Sequence, residues 1–186
     1  MDFNDTPEEA KFRKEAYDWL KANAPLKEGP KDSWRAASEE EGLKEVKAWQ
    51  KKLHDGGWAC LHWPKQYGGR ESTPIERVIW GQEVSKFKVP GGYLEIGQGM
   101  AGPVMMMYAT EEQKERYLPP LATGEEIWCQ LFSEPAAGSD VAGIKTKAEL
   151  DGDTWTINGQ KVWTSGAHFS DYGILVTRSD PTVAKH

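Results

Sequence analysis

The fold of this chain is decided by the stretch Trp128-Cys129-Gln130-Leu131-Phe132-Ser133-Glu134-Pro135-Ala136-Ala137-Gly138-Ser139-Asp140, followed further on by Gly159-Gln160-Lys161-Val162-Trp163-Thr164-Ser165. The first stretch begins as an apolar run that predicts a β-strand, then breaks into a loop of proline and small residues. The second ends on an aromatic side chain and two hydroxyl groups. Helical periodicity dominates before these stretches and strand-like alternation around them, so the fold changes class here.

The part of the chain before Gly124 predicts helices. A hydroxyl cap, a proline at the first helical position and acidic residues in the first turn mark a helix start at Thr6-Pro7-Glu8-Glu9. Pro74 opens another helix, and the residues expected to point inward from it are Ile75, Val78 and Ile79. A capping box opens a further helix at residues 110–113, which we expect to end at Pro119-Pro120.

The segment Tyr93–Tyr108 is the least polar of the predicted helices. Its apolar residues lie on all sides, which predicts burial. Its glycines permit close approach of a neighbour or a ligand, and Pro103 predicts a kink. A central core helix is the simpler interpretation, and it is compatible with a helix that lines a ligand.

Beyond Gly124 the pattern predicts an antiparallel β-domain. Asp151-Gly152-Asp153 predicts a turn, and Asn158-Gly159 predicts a hairpin. The expected strands are 127–132, 145–150, 154–157, 160–164 and 172–177. The fold class is therefore α+β: an all-α N-terminal domain over residues 1–123 and a truncated antiparallel β-domain over residues 124–186. Open strand edges in the second domain require more chain or a partner.

Composition excludes several classes of protein. The net charge is −6 over 186 residues and Lys and Arg form no block, which argues against a nucleic-acid surface. The two cysteines, Cys60 and Cys129, lack metal-binding spacing, so we expect buried thiols and no metal site. No apolar run reaches the length of a membrane span. The start Met1-Asp2-Phe3 lacks the basic and apolar regions of a secretory signal, so we expect a cytoplasmic protein.

The two decisive stretches have the groups that a flavin ring requires. A flavin presents alternating donors and acceptors along its pyrimidine edge, an acceptor at N5 and two flat faces. The strand edge from Gln130 to Ser133 suits the pyrimidine edge, Trp163 suits a ring face, and Thr164 or Ser165 suits N5. The N–H groups of residues 136–139 suit a pyrophosphate. Each pattern is first of all an ordinary turn or strand, so the residues alone leave both interpretations open.

Four motifs taken together resemble the acyl-CoA dehydrogenase family, in the family's order and spacing. They are Trp63-Pro64-Lys65-Gln66-Tyr67-Gly68-Gly69, Thr110-Glu111-Glu112-Gln113-Lys114 with Leu118-Pro119, the loop Ser133–Asp140 and the stretch Asn158–Ser165. The resemblance covers nearly the whole chain. It implies an oxidoreductase acting on a CH–CH group, with FAD as cofactor, that introduces an α,β double bond into an acyl-CoA thioester. Ala109 and Ala136 replace glycines that are common in the family.

Carried over by position, the resemblance implies a set of site residues. The helix Tyr93–Tyr108 would border the acyl chain, and Ser139 would also lie near the pantetheine of the substrate. No residue matches the family's catalytic carboxylate, which lies in a C-terminal helical domain, and Glu134 is expected to fix its loop instead. The implied flavin contacts are Gln130, Leu131, Phe132, Ser133, Ser139, Trp163, Thr164 and Ser165.

The resemblance also implies partners. These are an electron-carrier flavoprotein, further copies of the chain in a dimer or tetramer, and the rest of the polypeptide or a complementary subunit. Three functions stay open: part of a dehydrogenase, a non-catalytic subunit that binds flavin or acyl-CoA and completes a partner's fold, and an acyl-CoA oxidase on the same scaffold.

Overall fold

The computed structural model describes residues 4–180 and 182–184. In this part of the chain five α-helices come first: α1 Pro7–Asn23, α2 Glu39–Asp55, α3 Pro74–Val84, α4 Gly102–Tyr108 and α5 Glu111–Thr123. Four strands follow: β1 Trp128–Leu131, β2 Lys147–Asp151, β3 Thr154–Asn158 and β4 Tyr172–Leu175. Each helix of the described residues is too short or too polar to cross a bilayer.

The helix starts follow from local hydrogen bonding, as the sequence predicts. In α1 the Thr6 hydroxyl accepts the N–H of Glu9 at 3.2 Å, and the Glu9 carboxylate accepts the N–H of Thr6 at 2.7 Å. The same reciprocal box opens α3 and α5, at Thr73 and Thr110. Each box satisfies two donors that a helix end would otherwise leave unpaired.

Helix α5 corrects one prediction, because it does not end at Pro119-Pro120. It continues through both prolines and ends at Gly124, whose φ of 76° lies in the left-handed region. The prolines remove two helical donors. The neighbouring Leu118, Leu121 and Ala122 are fully buried, and their burial holds the last turn in place.

The core of the helical part centres on Trp63, which is fully buried. Its indole N–H donates to the carbonyl oxygen of Gln98 at 2.9 Å. Gly102 lies so close to this ring that a Cβ there would be 2.1 Å from a ring carbon. Cys60 lies in the same cluster, and both cysteines are free and buried, as predicted.

Helix α3 buries a narrower face than its apolar residues predict. Ile79 and Glu83 are buried, whereas Ile75 and Val78 are exposed, so the prediction was wrong for those two. Val78 is rotated by about 100° from Ile79 around the helix. Ile75 shares the stripe of Ile79 but lies in the first turn, where about half of its surface remains open.

The apolar segment 93–108 is only partly buried, which corrects a third prediction. A π turn spans Gly97–Ala101, and the N–H of Gly102 donates to the carbonyl oxygen of Gly97. This irregularity lies directly before Pro103, where the sequence predicts a kink. Gly97, Ala101 and Gly102 face the core, and the side chains left exposed are Val104, Met107 and Tyr108, at 45%, 71% and 78%.

The strands form two small sheets, of which only one is antiparallel. Strands β2 and β3 pair antiparallel around the predicted turn at residues 152–153. Strands β1 and β4 pair in parallel, with Trp128 opposite Tyr172 and Leu131 opposite Leu175. A parallel pair needs a long crossover, and the β2–β3 hairpin lies within it. The antiparallel prediction is therefore correct only for the hairpin.

The predicted hairpin at Asn158-Gly159 is wrong, and residues 160–164 form no strand. The expected turn type needs positive φ at both central residues, and neither residue has it. Gly159 is needed for a different reason. A Cβ there would lie 2.3 Å from Oγ1 and 2.6 Å from Cα of Thr146, so only glycine allows this approach without a shift.

Candidate functional site

The two decisive stretches meet at the end of β1. The N–H of Val162 donates to the carbonyl oxygen of Ser133 at 2.9 Å. The ammonium group of Lys161 donates to the carbonyl oxygen of Phe132 at 3.0 Å. The chain after the strand and the chain before Trp163 therefore run side by side.

A buried ion pair fixes this junction. One carboxylate oxygen of Glu134 accepts the ammonium of Lys161 at 2.9 Å and the N–H of Thr146 at 2.9 Å, and the other accepts the N–H of Lys145 at 2.6 Å. Burial acts to raise the pKa of Glu134, but hydrogen bonds from Thr146, Lys161 and the backbone outweigh burial and lower that pKa from 4.5 to about 2. Glu134 thus ties its loop to residues 145–146 and to Lys161, the loop-fixing contact that is expected from the sequence.

The small-residue loop closes in a tight turn. The N–H of Glu134 donates to the carbonyl oxygen of Ala137 at 2.8 Å, and the N–H of Ala137 donates back at 3.1 Å. The Ala137 N–H is consequently not free for a phosphate group. Ser139 lies beyond this turn and is exposed. Within the described residues no hydrogen bond joins Ser139 to Trp163, Thr164 or Ser165.

Trp163 is presented in an unusual way. Its φ is 55°, in the left-handed region that side chains rarely adopt, and its surface is 80% exposed. Such strain persists only where the surroundings impose it, and here Lys161 and Val162 are both tied to the chain after β1. The backbone is thus fixed while the indole face is open beside a strand end, which fits a flat ring ligand such as a flavin.

The remaining predicted residues lie on either side of this junction. Gln130 and Leu131 are in β1, half-buried and paired with Ile174 and Leu175 of β4. Ser165 lines a small cavity of about 90 Å³ that Trp128 also lines. The indole N–H of Trp128 is buried and has no hydrogen-bond partner among the described residues. Phe132, Ser133 and the 161–163 segment are therefore brought together, whereas no hydrogen bond in the described residues joins Ser139 to them.

Sequence reasoning gave no role to Lys161, although it stands inside a quoted motif. The signal was the pairing of an acidic residue before proline in one stretch with a lysine in the other. Only the fold shows that the two side chains meet, 27 residues apart. No group of three or more His, Cys, Asp or Glu side chains in the described part of the chain could hold a metal ion.

The helical part and the strand part of the chain each match a known domain family. The chain matches the family model for the acyl-CoA dehydrogenase N-terminal domain over residues 6–125, and that for the middle domain over residues 129–186. The chain therefore belongs to the acyl-CoA dehydrogenase family, whose members are oxidoreductases that use FAD.

Curated relatives agree with this assignment. The chain is 40% identical over 148 residues to acyl-CoA dehydrogenase IpdE1 of Mycobacterium tuberculosis, covering 80% of this chain and 38% of the relative. It is 44% identical over 151 residues to acyl-CoA dehydrogenase FadE34 of the same organism, covering 81% and 21%. The chain thus spans well under half of the length of these relatives.

Solved structures have the same fold. The assembly titled Tcur3481-Tcur3483 steroid ACAD superposes with a TM-score of 0.74 at 30% identity, over 100% of this chain and 47% of that chain. The ChsE4-ChsE5 complex from Mycobacterium tuberculosis gives 0.73 at 30% identity, over 100% and 46%. Each of these structures is named for two different proteins.

Proposed function

We propose that this chain supplies the flavin-binding part of an enzyme that dehydrogenates an acyl-CoA thioester between its α and β carbons. The observation that carries the proposal is Trp163, an exposed indole held in a left-handed backbone conformation beside the end of β1. Membership of the family supplies the reaction class. Contact with a flavin ring would give a reason for the strained backbone and the exposed indole at this position.

The residues proposed to hold FAD follow the layout of the site. The backbone from Gln130 to Ser133 would bond the pyrimidine edge, and Trp163 would lie against the ring. Thr164 or Ser165 would donate near N5, and Ser139 would bond the pyrophosphate or the pantetheine. FAD, when bound, accepts the hydride that leaves the substrate.

The other proposed contributions of this chain are binding and shielding. The exposed side of α4, with Val104, Met107 and Tyr108, offers apolar surface for the acyl chain. The ion pair of Glu134 and Lys161 would hold Trp163 in register with the strand. Glu134 is not proposed to remove the α proton, because its buried carboxylate accepts hydrogen bonds from Lys145, Thr146 and Lys161.

We further propose that the helical domain ends at residue 123 and the β-domain begins at 124. Gly124 supports this boundary, because its left-handed backbone ends the last helix just before β1. The predicted electron-carrier flavoprotein, homo-oligomer and cytoplasmic location remain part of the proposal.

A second candidate function is a non-catalytic subunit. The ChsE4-ChsE5 and Tcur3481-Tcur3483 structures, each named for two proteins, favour this candidate, since a chain in such an assembly could complete a site on its partner. Because the Tcur3481-Tcur3483 protein is named a steroid ACAD, a ring-bearing acyl group is the first substrate to test. An acyl-CoA oxidase is the third candidate.

One experiment tests the main proposal. The protein as isolated is mixed anaerobically with ring-bearing and straight-chain acyl-CoA thioesters while the flavin absorbance is followed. Bleaching by a thioester supports dehydrogenation, and peroxide formed on admitting air indicates an oxidase. Bound flavin that no thioester bleaches, even when the rest of the enzyme that would supply the base is present, favours the non-catalytic subunit. Absence of flavin after reconstitution with FAD contradicts the proposal.

A further inference from the structure

A separate cavity of about 300 Å³ lies in the helical part of the chain, lined by α2, α3 and the loop between them. Its wall includes two tryptophans, and its polar lining comes from amide, imidazole and guanidinium groups. The side chains that matter here are Trp58, Trp80, His62, Arg77, Gln50 and Gln98. None of them belongs to the flavin site proposed above.

The charge of this cavity is unusual for an acidic protein. No carboxylate lines it, although the chain carries 29 Asp and Glu against 23 Lys and Arg. Within residues 4–180 and 182–184, Arg77 makes no ion pair. A guanidinium without a carboxylate partner is a ready site for an anion.

Two other cavities provide the comparison. In a cavity of about 440 Å³, Lys114 is paired with Glu111 at 2.8 Å, and Glu115 is also in the lining. In a cavity of about 400 Å³, Lys51 is paired with Asp55 at 3.0 Å. Lys47, in the second of these cavities, donates to the backbone carbonyl oxygen of Glu125 at 2.6 Å. Each lysine that lines these cavities thus already has an oxygen partner, whereas the Arg77 guanidinium has neither a hydrogen-bond nor an ion-pair partner in residues 4–180 and 182–184.

His62 lies close enough to Arg77 to feel its charge. Burial, followed by the positive charge of Arg77, lowers the pKa of the His62 imidazole. Both side chains are exposed, so a ligand can reach them. An anion between them would relieve the unfavourable charge and accept hydrogen bonds from both groups.

The apolar wall of the cavity is flat and rigid. Trp58 and Trp80 stack with ring centroids 4.6 Å apart and planes 12° apart. Trp58 itself is only 3% exposed, with the guanidinium of Arg70 4.1 Å from its ring, so it supports Trp80 from below. Trp80 is half-buried and is the part of this wall that a ligand can cover. An indole held in this way favours a planar apolar body, because little side-chain freedom is lost on binding.

We propose that this cavity binds a carboxylate carried on a flat, ring-bearing body, with the carboxylate between Arg77 and His62 and the ring against the Trp58–Trp80 wall. The ligand is either a free acid or the far end of an acyl group. A neighbouring cavity of about 160 Å³ shares Gln50 and Gln98 with this one. That cavity in turn shares Glu95 with the cavity lined by Ser165, so a chain of cavities leads towards the proposed flavin site. The acyl-group source rests on the proposed function, and the free-acid source does not.

The test uses two probes of the same shape, 2-naphthoate and neutral 2-naphthamide, titrated by calorimetry into the protein as isolated. We expect binding of the acid to be at least tenfold tighter than that of the amide, because only the acid accepts charge-assisted hydrogen bonds. The variant Arg77→Gln is expected to lose this preference, whereas Arg77→Lys retains part of it. Arg35→Gln, which removes an exposed charge outside the cavity, is the matched control.

The outcomes separate this site from the flavin site. Equal binding of the two probes, or an unchanged preference in folded Arg77→Gln, overturns the proposal. Because the titration reads the probe directly, it succeeds or fails independently of flavin bleaching by acyl-CoA. Displacement of the probe by a ring-bearing acyl-CoA with a distal carboxylate, but not by the matching free diacid, identifies the source as substrate. Displacement by both supports a free-acid ligand.

Discussion

The carboxylate of Glu134 and the ammonium of Lys161 form an ion pair at 2.9 Å, and their side chains are only 7% and 8% exposed. This pair joins the loop after β1 to the segment that leads into Trp163. Removing one partner leaves the other charge buried and unpaired, which costs far more than the loss of an exposed pair. The register of the two loops therefore depends on both residues.

The first prediction concerns the stability of this junction. Lys161→Met should lower the free energy of unfolding by about 3–5 kcal/mol, because it leaves the Glu134 charge uncompensated. The double variant with Glu134→Gln should lose less than the sum of the single losses. Denaturant titration measures both. The exposed pair Lys44–Glu40 is the control, and Lys44→Met should change stability by about 1 kcal/mol or less. Additive losses would show that the pair does not act as a unit.

The second prediction follows from the depressed pKa of Glu134. A carboxyl with a pKa of about 2 in the folded chain and 4.5 in the unfolded chain binds more protons when unfolded. Its contribution to stability is thus fully present above pH 4.5 and is lost as pH falls through about 2. The stability difference between the natural chain and Glu134→Gln should therefore shrink on going from pH 5 to pH 2. A difference that stays constant across this range contradicts the assigned ionisation.

The third prediction separates the two properties of Trp163. Trp163→Gly should be more stable than Trp163→Ala by about 1 kcal/mol, because glycine adopts positive φ without steric cost. Both variants should bind FAD more weakly than the natural chain. Thermal unfolding and flavin content on gel filtration measure the two effects. Trp155→Ala, at an exposed tryptophan of β3, is the control and should leave flavin content unchanged.

How far the sequence predicts this fold depends on the range of the interactions. The cap at Thr6 is correct because the groups it involves lie within one turn of the chain. The helix end at Pro119 is wrong because burial of Leu118 and Leu121 overrides a local break. The exposure of Val78 could not be predicted, because periodicity marks an apolar face without showing what covers it.

In the candidate site, too, local features could be predicted from the sequence and contacts between distant segments could not. The motifs identify residues such as Ser133 and Trp163, and their roles toward a flavin stay predictions. The contact between Ser133 and Val162 needs the fold, since it joins segments that are far apart in sequence. The unpaired Arg77 has no sequence signature at all, because an arginine in the first turns of a helix looks like an ordinary surface charge.

The last prediction concerns Gly159. The sequence indicates that this glycine serves a hairpin turn, but in the structure it is needed because the chain passes close to Thr146. Gly159→Ala should destabilise the chain by about 1–3 kcal/mol, because the new methyl group would lie within 2.6 Å of Thr146 Cα and force the backbone apart. Gly29→Ala is the control, since a Cβ there meets nothing within 4 Å and its φ is not positive. Thr146→Ala removes the Oγ1 contact but keeps the backbone contact, so it should rescue Gly159→Ala only in part. Full rescue would show that the hydroxyl group, rather than the close approach of the two backbones, requires glycine at this position.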